Sequence, residues 1–123
     1  MKTISIDFDG VIHDYKNGYK DGTIYGDLVP GAKEFIINSH KAGHPMFIMS
    51  TRNPVQILAW VQDKIPEVTF AILVNPGTFY NNKKLVGITN KKLAAHIYID
   101  DRGYKFEGTF PDVESFKTYQ ETD

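Results

Sequence analysis

The stretch Ile4-Ser5-Ile6-Asp7-Phe8-Asp9-Gly10 is an alternating run of apolar and polar residues that stops at two acids and a glycine. In an extended strand alternate side chains share a face, so Asp7 and Asp9 would lie on the same side. Two carboxylates this close repel each other unless a positive charge lies between them, and a hard divalent cation such as Mg²⁺ suits oxygen ligands. The alternative is a strand that simply runs into an Asp-Gly turn.

A second acidic pair closes another apolar run, Ile97-Tyr98-Ile99-Asp100-Asp101. A third run, from Pro45 to Met49, is continuously apolar, which is typical of a strand buried on both faces of a parallel sheet. The polar residues Ser50-Thr51-Arg52 follow it. Ligands of such sheets bind at the carboxyl ends of the strands, near the switch in strand order. If these three strands are neighbours, their polar ends converge on one crevice.

Helical patterns separate the apolar runs. One helix is predicted from about Ala32 to Ala42, with Phe35 in its buried stripe, and another begins at Asn53-Pro54. Strands that alternate with helices at this spacing predict an α/β fold with a mainly parallel sheet. The remaining predicted elements are strands over 69–74 and 85–88, a short helix ending near Ala95 and a final helix that opens at Pro111.

Residues 13–29 have a composition of their own, because glycines alternate with tyrosines and charged residues. The segment is too rich in glycine for a helix and is typical of a twisted hairpin or flap inserted after the first strand. Its tyrosines either stack on a nucleobase or pack the flap against the body of the protein. His13, at the start of the segment, is either a substrate contact or a polar residue of the flap.

Length and composition narrow the class of protein. A chain of 123 residues forms a single domain over 1–123. The balance of 14 basic and 15 acidic residues leaves a net charge of −1, so nothing draws the whole chain to nucleic acid or membrane. The chain has no cysteine, which excludes disulfides and thiolate metal sites. No membrane span and no secretion signal are apparent, so a cytoplasmic location is expected.

The polar strand ends resemble a known set of signatures. Asp7-Phe8-Asp9-Gly10-Val11 resembles the first signature of the haloacid dehalogenase-like phosphohydrolases, Ser50 the second, Lys92 the third and Asp100-Asp101 the fourth. The four follow in the family's order over about residues 4–102. The small, capless members from phages and bacteria are the most similar. Their typical features match the aromatic, Gly-rich residues 13–31, Ser50-Thr51-Arg52 and the stretch from Tyr98 to Arg102.

The resemblance implies a three-layer, Rossmann-like sandwich without a cap domain, and it implies a role for each matching residue. Asp7 would be the nucleophile and a Mg²⁺ ligand. Asp9 would be the general acid and base and would give its backbone carbonyl to the metal. The other implied roles are phosphoryl binding by Ser50 with Thr51 and Arg52 beside it, charge screening by Lys92, and Mg²⁺ binding by Asp100 and by Asp101, directly or through water.

Two of these assignments have an alternative. Lys91 stands beside Lys92, and the third signature could shift by one residue, although the spacing to Asp100 favours Lys92. Arg52 either pairs with an acid across the crevice or reaches a substrate phosphate, since its guanidinium group suits carboxylates and phosphates equally.

Together these features predict a Mg²⁺-dependent phosphomonoester hydrolase that works through an aspartyl-phosphate intermediate. Its partner would be a small phosphorylated substrate, and the open site with its aromatic flap favours nucleotides or phosphorylated nucleic-acid ends. Two alternatives stay open at the level of sequence. One is a catalytically weak or inactive regulatory module that binds metal and phosphate, and the other is a phosphotransferase that uses an alcohol as acceptor.

Overall fold

The structure is a computed structural model that describes residues 1–18, 21–74, 77–103, 105–112 and 114. These residues contain five strands and two helices. In chain order they are β1 (Ile4–Asp7), α1 (Ala32–Lys41), β2 (Met46–Met49), α2 (Pro54–Lys64), β3 (Phe70–Ile72), β4 (Val86–Thr89) and β5 (Ile97–Ile99).

All five strands join one parallel sheet in the order β3-β4-β2-β1-β5. The predicted α/β class with a parallel sheet is confirmed, and so are the five predicted strand positions. β2 and β4 are fully or almost fully buried, as the continuous apolar run of β2 predicts. The buried core combines residues of β1, β2 and β4 with Ile36 of α1 and with Ile57 and Val61 of α2.

Capping residues define the two helices. The Asn53 side chain accepts a hydrogen bond of 2.9 Å from the backbone N–H of Val55, and Pro54 occupies the first helical position, as predicted for the start of α2. Gly43 follows the end of α1 with a φ of 91°, a left-handed conformation that suits glycine. None of the helices in the described part of the chain is long and apolar enough to cross a membrane.

Two local predictions are wrong. Phe35 is 39% exposed, because the buried line of α1 runs through Ala32 and Ile36. The short helix expected to end near Ala95 does not form over residues 90–96. There the hydroxyl of Tyr98 accepts from the N–H of Ala95 at 3.0 Å and donates to the carbonyl of Leu93 at 2.8 Å, so a side chain satisfies backbone groups that a helix would pair. The predicted helix opening at Pro111 lies largely outside the described residues.

Candidate active site

The polar ends of three strands meet at one edge of the sheet. β1 lies between β2 and β5, as the convergence of their polar ends requires. Asp7 pairs in register with Met49, and Ile6 pairs with Ile99, so Asp7 and Asp100 are level at the carboxyl ends of their strands. Strands later in the chain lie on both sides of β1, and this switch in strand order is where parallel sheets open a crevice.

Three carboxylates crowd together in that crevice. One oxygen from each of Asp7, Asp100 and Asp101 lies within 4.8 Å of the others. Asp7 is half-buried, and the other two are exposed. Gly10 lies against Asp101 and has a φ of 87°. A Cβ atom at this position would collide with the Asp101 carboxylate. The Asp-Gly pair of the sequence is therefore part of the cluster's geometry, in addition to being a turn.

The environment of Asp7 disfavours its charged form. Burial raises its pKa from 3.8 to about 6, and the nearby carboxylates of Asp100, Asp101 and Asp9 push the pKa in the same direction. The backbone N–H of Phe8, which donates to Asp7 Oδ1 at 2.9 Å, opposes this rise. A half-buried carboxylate among other acids is stabilised by a proton or by a bound cation. Three carboxylate oxygens this close together could hold a hard divalent ion such as Mg²⁺.

This pKa shift predicts how stability depends on pH. Without a divalent cation, we expect the free energy of unfolding to fall between about pH 4 and pH 7 because the folded state holds the Asp7 proton more tightly than the unfolded chain does. The contribution is full below pH 3.8 and is lost as the pH rises through about 6. Urea unfolding at several pH values measures it, and Asp7→Asn should have the flatter profile. Equal slopes for the two proteins would contradict the prediction.

The side chain of Asp9 is engaged away from the acidic cluster. Its Oδ1 lies 2.8 Å from His13 Nδ1, and its Oδ2 accepts a hydrogen bond of 2.8 Å from Arg52 Nε. Of the two roles predicted for Arg52, the structure thus contains the pairing with an acid. Asp9 still lines a cavity of about 230 Å³ together with Asp7 and Ser50, so both predicted catalytic acids face one space.

Ser50 and Thr51 line the same small cavity, and only Ser50 is buried. The Ser50 backbone N–H donates to the carbonyl of Thr89 at 3.0 Å, which ties the end of β2 to β4. The Ser50 hydroxyl oxygen accepts from the N–H of Arg52 at 3.1 Å. Since that oxygen is acting as an acceptor, its own proton stays available for a ligand in the cavity.

Lys92 and Lys91 have different surroundings. Lys92 lines a larger cavity of about 600 Å³ with Asp7 and Asp100, and its Nζ lies 5.3 Å from the centre of the Tyr98 ring. Lys91 does not line that cavity, and its N–H donates to Thr89 Oγ1 at 3.1 Å. The geometry therefore favours Lys92 as the lysine of the site, as the spacing does.

If the site hydrolyses phosphate esters as the sequence predicts, Lys92→Ala should lower turnover by about a hundredfold, since it removes a positive charge that would lie beside the phosphoryl group. Lys91→Ala removes the same charge from the neighbouring residue and should leave turnover nearly unchanged. Initial rates of both purified variants with Mg²⁺ measure the difference. A larger loss of turnover for Lys91→Ala than for Lys92→Ala would make Lys91 the lysine of the site.

His13 was not predicted as a buried partner of Asp9, yet it is fully buried. Its ring stacks on Phe8 with centroids 5.4 Å apart and makes T-shaped contacts with Trp60 and Tyr25. The sequence carries one signal for this contact, an acid and a histidine four residues apart across a turn. In that turn the N–H groups of both Ile12 and His13 donate to the carbonyl of Phe8 at 2.9 Å.

The aromatic residues of the flap pack against each other and against the site. Tyr15 and Tyr25 stack with centroids 6.3 Å apart, and the Arg52 guanidinium carbon lies 5.6 Å from the centre of the Tyr15 ring. Of the two interpretations given to these tyrosines, packing is the one that the structure contains. Tyr19 lies outside the described residues.

Comparison of the chain with protein-family models, with curated proteins and with solved structures found no match.

Proposed function

We propose that the protein is a Mg²⁺-dependent phosphomonoester hydrolase of the capless, haloacid dehalogenase-like type, with that family's three-layer arrangement. The observation that carries the proposal is the meeting of Asp7, Asp100 and Asp101 within 4.8 Å at the carboxyl ends of adjacent strands. A buried serine and a lysine beside these acids add groups that can hold phosphoryl oxygens.

Binding of a divalent cation is the state that best relieves the repulsion among these three carboxylates. Without a cation, the carboxylates of the cluster either repel one another or take up protons, as the raised pKa of Asp7 indicates. Asp7, Asp100 and Asp101 would hold the ion, with the backbone carbonyl of Asp9 as a further ligand. A bound Mg²⁺ neutralises charge on the transferring phosphoryl group and orients it.

In the first step an oxygen of Asp7 attacks the phosphorus atom of the ester. The new bond joins Asp7 to phosphorus, and the bond between phosphorus and the ester oxygen breaks. The carboxyl group of Asp9 gives a proton to that leaving oxygen, so the alcohol departs neutral. The Ser50 hydroxyl and the Lys92 ammonium group bind the oxygens of the phosphoryl group while it moves.

In the second step water releases the phosphate. The Asp9 carboxylate takes a proton from water as its oxygen attacks phosphorus, and the bond between phosphorus and Asp7 breaks. Inorganic phosphate leaves, Asp7 returns as a carboxylate and Asp9 is protonated again for the next cycle. One acid thus serves twice, with opposite roles in the two steps.

The substrate is proposed as a phosphorylated small molecule or a phosphorylated nucleic-acid end. Cavities that contain Asp7 also include the exposed residues Thr51, Arg102 and Lys105, which would give a bulky substrate access. Mononucleotides compared with oligonucleotides that carry a terminal phosphate would separate the two classes. Higher kcat/KM for the oligonucleotide would favour the nucleic-acid end.

The proposal is tested by turnover of p-nitrophenyl phosphate after EDTA treatment and after return of Mg²⁺. We expect loss of turnover with EDTA and recovery with Mg²⁺ because the acidic cluster binds the ion. Turnover that survives EDTA would contradict the metal-dependent mechanism. Mg²⁺ and phosphate binding without turnover across a panel of phosphate esters would replace the hydrolase with a binding module, and phosphorylated products formed with added alcohols would indicate a phosphotransferase.

A further inference from the structure

We propose that the flap, through the backbone of its residues Gly22 and Gly26, positions the carboxylate of Asp9 by way of two side chains, His13 and Arg52. This inference rests on the proposed function because it concerns how the general acid and base of that reaction is held. Each of the two side chains uses one nitrogen to form a hydrogen bond with Asp9 and another nitrogen to form a hydrogen bond with the backbone of the flap. His13 and Arg52 are thus positioning residues, and the flap acts on catalysis through them.

The hydrogen bonds of His13 determine which ring nitrogen carries the proton. The backbone N–H of Gly26 donates to His13 Nε2 at 2.8 Å, so that nitrogen must present a lone pair. In a neutral imidazole the other nitrogen, Nδ1, then carries the proton. It donates to Asp9 Oδ1 across 2.8 Å. The flap therefore fixes the tautomer that can hold Asp9.

Packing fixes the orientation of the same ring. His13 has no exposed surface, stacks on Phe8 and makes T-shaped contacts with Trp60 and Tyr25. A rotation of the ring would break both of its hydrogen bonds at a buried position, where an unpaired polar group is costly. The donor that faces Asp9 is therefore held in one place.

Arg52 holds the other carboxylate oxygen of Asp9 in a similar way. Its Nε donates to Asp9 Oδ2 at 2.8 Å, and its Nη1 donates to the carbonyl of Gly22 in the flap at 2.7 Å. The side chain is only 8% exposed and lies against the ring of Tyr15. One flap amide and one flap carbonyl thus hold the two donors that reach Asp9.

Two donors on two different oxygens fix the plane of the Asp9 carboxyl group, because a turn of that group would break both bonds. Each oxygen has two lone pairs, so one on each stays available for a proton in flight. Holding a proton donor at the right angle contributes to catalysis through orientation. This arrangement gives the Gly-rich flap a role that needs no contact with substrate.

Gly26 shows how closely the flap approaches His13. A Cβ atom on Gly26 would collide with the carbonyl oxygen of Asp14 and would lie 2.9 Å from His13 Nε2. Gly26→Ala should therefore displace the amide that fixes the ring. Gly77→Ala is the matched control because its Cβ would meet nothing closer than 3.9 Å.

The test compares two esters that differ in their need for an acid. An alkyl phosphate has a poor leaving group and needs the Asp9 proton, whereas p-nitrophenyl phosphate needs it little. We expect His13→Ala to lower kcat/KM about tenfold or more for the alkyl ester and far less for the aryl ester, since general acid catalysis contributes about a hundredfold or more. His13→Asn, whose amide N–H replaces Nδ1–H, should recover part of the loss, and Gly26→Ala should show the same selective loss as His13→Ala.

Arg52→Met removes the second donor independently and serves if His13→Ala does not fold. Loss of a substrate contact by Arg52 would weaken binding of both esters alike, whereas loss of positioning selects the alkyl ester. Equal losses for the two esters in an active enzyme, or a selective loss in Gly77→Ala, would overturn the positioning role and leave the proposed function intact.

The tautomer gives a readout that does not depend on turnover. Heteronuclear NMR of the imidazole nitrogens of His13 should show a neutral ring protonated at Nδ1, and Gly26→Ala should alter these signals while Gly77→Ala does not. A ring protonated at Nε2 would overturn the inference. If the wild type turned over no phosphate ester, the proposed function would fail and the positioning role with it, and the NMR result would then report the network as structural only.

Discussion

Asp7→Asn is expected to reduce phosphate ester turnover by at least about a thousandfold, because the amide oxygen cannot replace the carboxylate that we propose as the nucleophile. The substitution also removes one of the three acids that would share the cation. The change is nearly isosteric, so the fold should persist. Initial rates at saturating Mg²⁺, with the circular dichroism spectrum as a check on folding, measure the effect.

The matched control is Asp63→Asn, which makes the same change of charge on the exposed surface of α2. It should leave the rate unchanged, and this separates chemistry at Asp7 from the effect of net charge. An Asp7→Asn enzyme that retained more than a few per cent of the wild-type rate would remove Asp7 as nucleophile.

Gly10→Ala is expected to lose most of the stabilisation that Mg²⁺ gives the protein. Gly10 has a φ of 87°, and a Cβ atom there would collide with the Asp101 carboxylate, so that carboxylate must shift from its place in the cluster. A side chain in this backbone conformation also costs about 1–2 kcal/mol of stability in its own right. Urea unfolding with and without Mg²⁺ measures the two effects separately.

Gly31→Ala is the control for Gly10→Ala because Gly31 has nearly the same φ, 89°, with nothing within 4 Å of the added Cβ. It should share the conformational cost and keep the full response to Mg²⁺. Equal responses of the two variants to Mg²⁺ would mean that Gly10 is a turn residue only, as the alternative interpretation of the Asp-Gly pair holds.

Much of the fold could be predicted from the sequence because burial leaves a periodic trace. The run that became β2 is continuously apolar, and the run that became β1 ends at Asp7. The order of strands leaves no such trace. β4 lies between β3 and β2, and nothing in its composition says which neighbours it will pair with. Element positions are local properties, whereas strand order depends on the whole chain.

The same distinction applies to the candidate site. Asp7 and Asp100 follow apolar runs, so their convergence could be predicted from the rule for parallel strands. The contacts of Asp9 could not, because they depend on a turn that brings His13 back and on a flap that supplies Gly22 and Gly26. The prediction for Phe35 was wrong for a simpler reason. Adjacent residues of α1 are apolar, so the sequence did not determine which of them would be buried.

The most direct measurement of the central claim is a crystal structure of the protein soaked with Mg²⁺ and beryllofluoride, a mimic of the phosphoryl group. We expect one ion about 2.1 Å from oxygens of Asp7 and Asp100, with the mimic bonded to the second oxygen of Asp7. An ion bound elsewhere, or a mimic seated away from Asp7, would contradict it.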